Sequence, residues 1–409
     1  MNIVLEPGAA ALLDELHRAG FGAYAVGGCV RDSLLGLAPH DWDLCTAARP
    51  GQVMELFGED RCIPTGLQHG TVTVKRDGKL YEITTFRTEG RYSDGRHPDS
   101  VAFVPDLRED LARRDFTINA MAYSAEEGLC DPFGGREDLA RGVVRAVGEP
   151  LRRFGEDALR ILRLYRFAAR FGFAIDEATE AAAKQLASHL DCVSAERIEE
   201  ELNKLLAAPQ PGAYLEPEVL AFVLPELPPE ELTKARRRID ALPAGTEQVS
   251  ARWAALLLPL GETGARKALK RLKCSNARID GAVALVRECG EKTPDTLDKC
   301  DLRLQAKRLL GKYDLHTVQQ LTALWTALAP EEKASFDALR AEAEALTAQG
   351  VCCRISQLAV NGRDLMAAGA APGPGLRRVL EALLEEVITG RLPNEKTELL
   401  AFAAGFSAS

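Results

Sequence analysis

The sequence predicts an α+β protein: a small α/β head followed by a long all-α remainder. Three observations predict it. Residues 1–148 alternate helical and strand patterns, and beyond about residue 150 the strand signals nearly vanish. Alanine- and leucine-rich helical periodicity then runs to the end. Pro/Gly clusters punctuate that helical part, at Pro209 to Pro229 with six prolines and again near Gly350. These breaks predict a head over 1–148 and helical segments over 149–208, 209–349 and 350–409.

The first element of the head with chemical content is Val26-Gly27-Gly28-Cys29-Val30-Arg31-Asp32. It reads as a Gly-Gly turn into a helix-like stretch. A short break from Gly36 to Pro39 follows, then His40-Asp41-Trp42-Asp43-Leu44. On a strand, alternation would point Asp41 and Asp43 to one face. Two hard oxygen ligands beside glycine backbone that can approach a phosphate describe a magnesium–nucleotide site. The plainer alternative is a turn with two solvated acids.

Gly70-Thr71-Val72-Thr73-Val74-Lys75 reads as a strand and Asp77-Gly78 as a hairpin turn. Leu80 to Phe86 is the returning strand, with Glu82 facing opposite to Tyr81 and Ile83. Glu82 is either a third acid near the metal or a solvent-side residue. In Ala112-Arg113-Arg114-Asp115-Phe116-Thr117-Ile118-Asn119-Ala120, two arginines and an acid open an apolar, helix-like run. Arg114 could bind a triphosphate through its planar fork, or could be a surface arginine at a helix start.

Glu156 to Phe167 reads as one amphipathic helix. Ala158, Ile161, Leu162, Tyr165, Ala168 and Ala169 gather on one side. Asp157, Arg160, Arg163, Arg166 and Arg170 lie across the other. One acid with four arginines is lopsided for a solvated face and suits a nucleotide. A carboxylate only accepts hydrogen bonds and a guanidinium only donates. Together, Asp157 and Arg160 match the amino group and ring acceptor that cytosine and adenine share. Uracil and guanine reverse that pattern, so the pair would select C and A without a template. Arg163 and Arg166 would remain for phosphates.

Composition bounds these readings. At 46% hydrophobic and 27% charged residues, the 409-residue chain is a folded protein and not a disordered one. The net charge of −9 argues against a broad basic surface. Local basic tracks exist at Lys234–Arg238 and Arg266–Lys273, each also readable as a solvated helix face. No apolar run approaches a membrane span, and the amino terminus lacks the pattern of a secretory signal. The ten cysteines include no C-x-x-C pair. Reduced thiols and a cytoplasmic location are expected, with no membrane and no obligate protein partner.

The motifs Gly27–Asp32, Asp41-x-Asp43, Thr65–Thr71, Arg113–Ala120 and Glu156–Arg160 occur in an order that resembles a known family. It is the class II bacterial tRNA nucleotidyltransferases, the CCA-adding branch of the polymerase β-like superfamily. The likeness is specific over residues 24–206 and looser beyond, where Leu358–Leu365 and Gly390–Leu400 look like a tRNA-contacting tail. It implies a nucleotidyltransferase head with a mixed β-sheet, then an elongated helical neck, body and tail. It further implies Mg2+ held by Asp41 and Asp43, which are also the catalytic residues. Gly28 and Arg31 would contact the triphosphate, and Arg114, Asp157, Arg160, Arg163 and Arg166 would form the nucleotide pocket. Glu196–Glu201 looks like a buttressing helix. The implied substrates are tRNA, CTP and ATP. The tRNA 3′ hydroxyl attacks the α-phosphate and pyrophosphate leaves.

An A-adding enzyme, a poly(A) polymerase and a non-catalytic tRNA-binding protein are the rival readings. A D-x-D glycosyltransferase leaves the Asp157 helix without a role. The six histidines offer no metal-ligand set for an appended phosphohydrolase. Arg87 to Pro98 resembles the family's flexible loop, whose glycines permit rearrangement between C and A addition. Replacing it with a short inert linker should leave CC addition largely working and stop A addition, read by sequencing product 3′ ends. Full CCA synthesis by that variant would place the switch elsewhere.

Overall fold

In the computed structural model, which describes residues 3–90, 101–291 and 301–406, the head is organised by one mixed sheet. Its elements in chain order are α1 (Pro7–Arg18), β1 (Ala23–Val26), α2 (Gly28–Leu34), β2 (Leu44–Thr46) and α3 (Pro50–Phe57). Then come β3 (Cys62–Gly66), β4 (Thr71–Arg76), β5 (Lys79–Thr85), β6 (Arg87–Glu89), β7 (Val101–Phe103) and α4 (Leu107–Ala112). β8 (Ala122–Ser124) and β9 (Gly128–Cys130) complete the set. Seven strands pair in the order β3-β4-β5-β2-β1-β8-β9. Only β2 and β5 run parallel within that sheet. β6 and β7 form a separate two-stranded ribbon.

Local chemistry accounts for the hairpin. β4 and β5 pair from Thr71↔Thr84 to Arg76↔Lys79. The turn between them places Asp77 at φ 49° and Gly78 at φ 77°, the left-handed pair that a two-residue hairpin needs. At the N-cap of α1, Glu6 accepts hydrogen bonds from Ala9 N, from Tyr81 Oη of β5 (2.6 Å) and from Lys79 Nζ (3.0 Å), so the first helix is tied to the hairpin.

Two expected helices are not as the periodicity suggests. The run after Arg113 is a short 3-10 turn over Thr117–Asn119 that leads into β8. Asp115 takes the Phe116 N–H on its side chain, and Phe116 bridges Ala146, so the backbone is committed to other partners. The run Glu156–Phe167 is two helices, α5 (Pro150–Glu156) and α6 (Leu159–Phe171). Asp157 lies between them in extended conformation, φ −145° and ψ 106°. Its Oδ1 accepts from Leu159 N at 3.0 Å and its carbonyl from Arg160 N at 3.0 Å, so it caps the second helix instead of continuing the first.

Contacts divide the chain into two compact units, Met1–Pro229 and Glu230–Ser409. The expected head and neck thus share one unit. α6 packs in it beside α7 (Ala195–Leu206), and both faces of α6 are covered. Leu164 and Phe167 are buried along with the predicted apolar stripe, and so are Arg160 and Arg166.

The second unit is helical throughout its described residues. Trp253 and Arg252 are fully buried, and Arg252 Nη2 donates to Leu242 O at 2.9 Å. A separate apolar cluster near the carboxyl end joins Cys352, Leu358, Val360, Leu365, Leu383, Val387, Leu399 and Ala403. In the two basic tracks, Lys234 pairs with Glu231 and Arg266 with Asp280. No helix among the described residues is long and apolar enough to cross a membrane.

Candidate active site

Asp41 and Asp43 precede β2 instead of lying on it. The Asp43 carbonyl accepts from Val26 N at 3.0 Å, which fixes the segment against the end of β1. The parallel register Leu44↔Ile83 places Asp43 beside Glu82 on the adjoining strand. Crowding by protein raises the Asp43 carboxyl above its ordinary value; Glu82 and Asp41 add to the rise, while Arg114 opposes it. The Asp43 side chain still reaches solvent, so the neighbouring carboxylates are a substantial part of that cause. Asp41 is 86% exposed at its side chain, 3.4 Å from His40 Nδ1. Among the described residues, no three His, Cys, Asp or Glu side chains are gathered to hold a metal. Two exposed, mutually repelling carboxylates nevertheless suit a hard cation that takes its other ligands from water and phosphate.

The Gly-Gly turn does what its residue types require. Gly27 has φ 76°, and a Cβ there would stand 2.8 Å from Arg114 Nη1. Arg114 therefore lies across the glycine, on the side of Asp43. Its Nε is buried without a hydrogen-bond partner. Gly28 opens α2. Arg31, by contrast, faces inward and is 3% exposed. Its guanidinium bonds Asp32 and Asn119 and sits over the rings of Phe167 and Phe171.

The arginines of α6 are not a solvated stripe. Arg160 Nη1 donates to Glu156 (3.0 Å) and Arg153 O (3.2 Å), and Nη2 to Arg113 O (3.1 Å). Arg163 donates twice to Asp115 Oδ2, at 2.8 and 2.6 Å. Arg166 is paired with Glu201 of α7. Asp157 Oδ2 accepts from Arg197 of α7 at 2.7 Å, so the buttress suggested by Glu196–Glu201 reaches the acid directly. Asp157 and Arg160 are thus both held, each by its own partners and not by one another. A cavity of about 190 Å3 opens beside Arg113, Arg153 and Glu156, the three residues that hold Arg160.

Sequence reasoning missed the acids that hold these arginines. Asp32, Asp115 and Glu201 lie inside the quoted motifs, but nothing in their spacing pairs them with residues dozens of positions away. The excess of arginine on α6 was the available signal, since buried cations need partners. Residues 91–98 of the expected loop, Arg87 to Pro98, lie outside the described residues, and only its first part, β6 and Gly90, is placed.

Burial alone would raise the Asp115 carboxyl, but Arg163, Asn119 and Arg160 outweigh it and hold it well below the usual carboxylate range. A depressed folded value means stabilisation that is present above the unfolded pKa near 4 and is lost as pH falls further. Asp115→Asn should cost about 2–3 kcal/mol at pH 7, at or below the low end for a buried pair because Arg163 is 34% exposed. The gap in Tm between variant and parent should narrow from pH 5 to pH 3. A gap independent of pH would detach Asp115 from this role.

Comparison with known proteins bears on the whole chain. A model of the poly(A) polymerase head domain matches residues 23–145. A "Probable RNA and SrmB- binding site of polymerase A" matches residues 172–228, and tRNA nucleotidyltransferase domain 2 matches 245–403. The CCA-adding enzyme of Limosilactobacillus fermentum is 39% identical over 408 residues, covering 96% of this chain and 95% of that one. That of Geobacillus stearothermophilus is 37% identical over 402 residues, with 96% and 95% covered. The crystal structure of the Bacillus stearothermophilus CCA-adding enzyme in complex with CTP superposes with a TM-score of 0.81 at 33% identity, over 99% of this chain and 98% of that one. The Thermotoga maritima enzyme complexed with tRNA shares the fold, with a TM-score of 0.70 at 22% identity over 98% and 96%. The chain belongs to the CCA-adding enzyme family.

Proposed function

We infer that this protein adds C, C and A to the 3′ end of tRNA, using CTP and ATP and releasing pyrophosphate. The full-length identity to CCA-adding enzymes carries the reading, and Asp41, Asp43, Asp157 and Arg160 are all present. The family implies a divalent cation, and Mg2+ fits the hard carboxylates Asp41 and Asp43, with Glu82 beside them. Asp41 and Asp43 would hold it, and when bound it would supply a lowered pKa for the attacking hydroxyl and charge stabilisation for the leaving oxygen.

The protein's own residues position and discriminate. Arg114, with Gly28 and the Gly27 turn, receives the triphosphate. The base edge meets Asp157 as acceptor and Arg160 as donor. Glu156, Arg153 O and Arg113 O use part of the Arg160 fork and leave the rest to the base. Arg163, Arg166 and Arg31 set the posture of α6 in the present conformation, and any contact of theirs with nucleotide would exchange one of these pairs. The organisation follows the family's head (1–148), neck (149–208), body (209–349) and tail (350–409), the helical parts serving tRNA. The reaction belongs in the cytoplasm; the described cysteines are free thiols, as that compartment allows.

Incubating the protein with tRNA lacking CCA, and with CTP and ATP separately and together, tests the reading. CTP alone should add two residues, and both should complete CCA. An A-adding enzyme would leave the CTP reaction blank, and a long adenosine tail would indicate poly(A) synthesis. Asp41→Ala or Asp43→Ala should abolish addition with tRNA binding and Tm nearly unchanged; turnover near the parent's would defeat the metal assignment. Asp157→Ala removes the acceptor for the base amino group, at about 1–3 kcal/mol of selection. Relative use of UTP and GTP should rise, whereas an unchanged preference would reduce Asp157 to a helix cap.

A further inference from the structure

Asp110, on α4, is a wholly buried carboxylate outside the residues assigned above. Its two oxygens are used differently. Oδ1 accepts from Arg87 N (3.3 Å) at the start of β6 and from Arg113 Nε (3.0 Å), with Arg113 Nη2 at 2.9 Å. Oδ2 has no hydrogen bond. Its nearest cation is Arg114 Nη2 at 3.6 Å, an ion pair too long for a hydrogen bond.

That asymmetry has a physical consequence. A clamp meant only to hold Arg114 would close to hydrogen-bond distance, as Oδ1 does with Arg113. A buried carboxylate oxygen left without a hydrogen bond is costly. Here the charge of Arg114 compensates it while that guanidinium keeps its terminal donors: Nη1 lies over Gly27, whereas Nε is enclosed by protein. An arriving polyanion can take those donors without stranding Asp110, because Arg113 remains bound to it. The same short segment touches the base side, since Arg113 O receives Arg160 Nη2.

We propose that Asp110 is a positioning residue for the triphosphate of the incoming nucleotide. It aims Arg114 across Gly27 toward Asp43 by charge and leaves its hydrogen bonds to the phosphates. The proposal rests on the nucleotidyltransferase reading above. Asp110→Asn keeps the shape and an acceptor for Arg87 N but removes the charge. Arg114 must then be ordered by the nucleotide itself, which weakens binding in ground and transition state alike.

Steady-state addition of C and of A by the full chain to tRNA lacking CCA, or ending in CC, reads this out. Asp110→Asn should raise KM for both CTP and ATP by about fivefold or more, with kcat within about twofold of the parent. Selection against UTP and GTP should not change. In an Arg114→Ala background the same substitution should have no further effect on KM. An unchanged KM, a loss confined to kcat, or effects that simply add would overturn the proposal. If the amide variant does not fold, Asp110→Thr, smaller and neutral with a hydroxyl acceptor, carries the same expectation. Failure of the parent protein to extend tRNA at all would instead refute the nucleotidyltransferase reading.

Discussion

Phe167 is enclosed by guanidinium groups. Arg166 lies 3.9 Å from its ring centroid, Arg31 5.2 Å and Arg163 5.5 Å. Cations over an aromatic face gain from its quadrupole, but three of them together repel. The arrangement holds only because Asp32, Asp115 and Glu201 each neutralise one of the three. These acids come from α2, from the turn before β8 and from α7. One buried charge lattice thereby fixes α6 against the sheet-bearing part and against its buttress.

The proposed nucleotide site depends on that lattice. Asp115 binds Arg163 with one oxygen, and takes Phe116 N and Asn119 Nδ2 with the other. Asn119 in turn accepts from Arg31. The cap of α6 at Asp157 and the setting of Arg160 one turn later are therefore rigid relative to the Gly-Gly turn and the Asp41–Asp43 segment. Selecting a base without a template requires such rigidity, because a loose donor–acceptor pair would adapt to the wrong edge. Buried ion pairs are weak contributors to net stability and strong determinants of arrangement, which suits a unit whose task is positioning.

At the other end of the site the charges are arranged in the opposite sense. Asp41, Asp43 and Glu82 have no comparable set of partners; Asp43 and Glu82 repel, and Arg114 attenuates this only in part. Residual repulsion of this kind is relieved by a cation, and it invites one. The charges around α6 are thus paired, Asp157 with Arg197 and Arg160 with Glu156 included, whereas those of Asp41, Asp43 and Glu82 are opposed only in part.

Composition and periodicity sufficed for the α+β division and for the hairpin at Asp77-Gly78, whereas the alternation expected of Asp41 and Asp43 did not apply, since both precede β2. Local rules govern these features: left-handed backbone needs glycine or a tolerant residue, and alternation sets strand faces. The motifs also named Arg114, Asp157 and Arg160. Periodicity placed the apolar stripe of α6 correctly but failed to foresee its polar face, where an acid from each of three distant segments receives the arginines. It failed at Asp157 as well, where a side-chain hydrogen bond to the following turn broke a pattern that reads as continuous helix. Which carboxylate meets which guanidinium is decided by chain topology, and spacing along one chain carries no record of it. The sequence alone thus determined the residue types available to the proposed site, and only the tertiary structure decided which of those charges pair with one another, because pairing follows from chain topology.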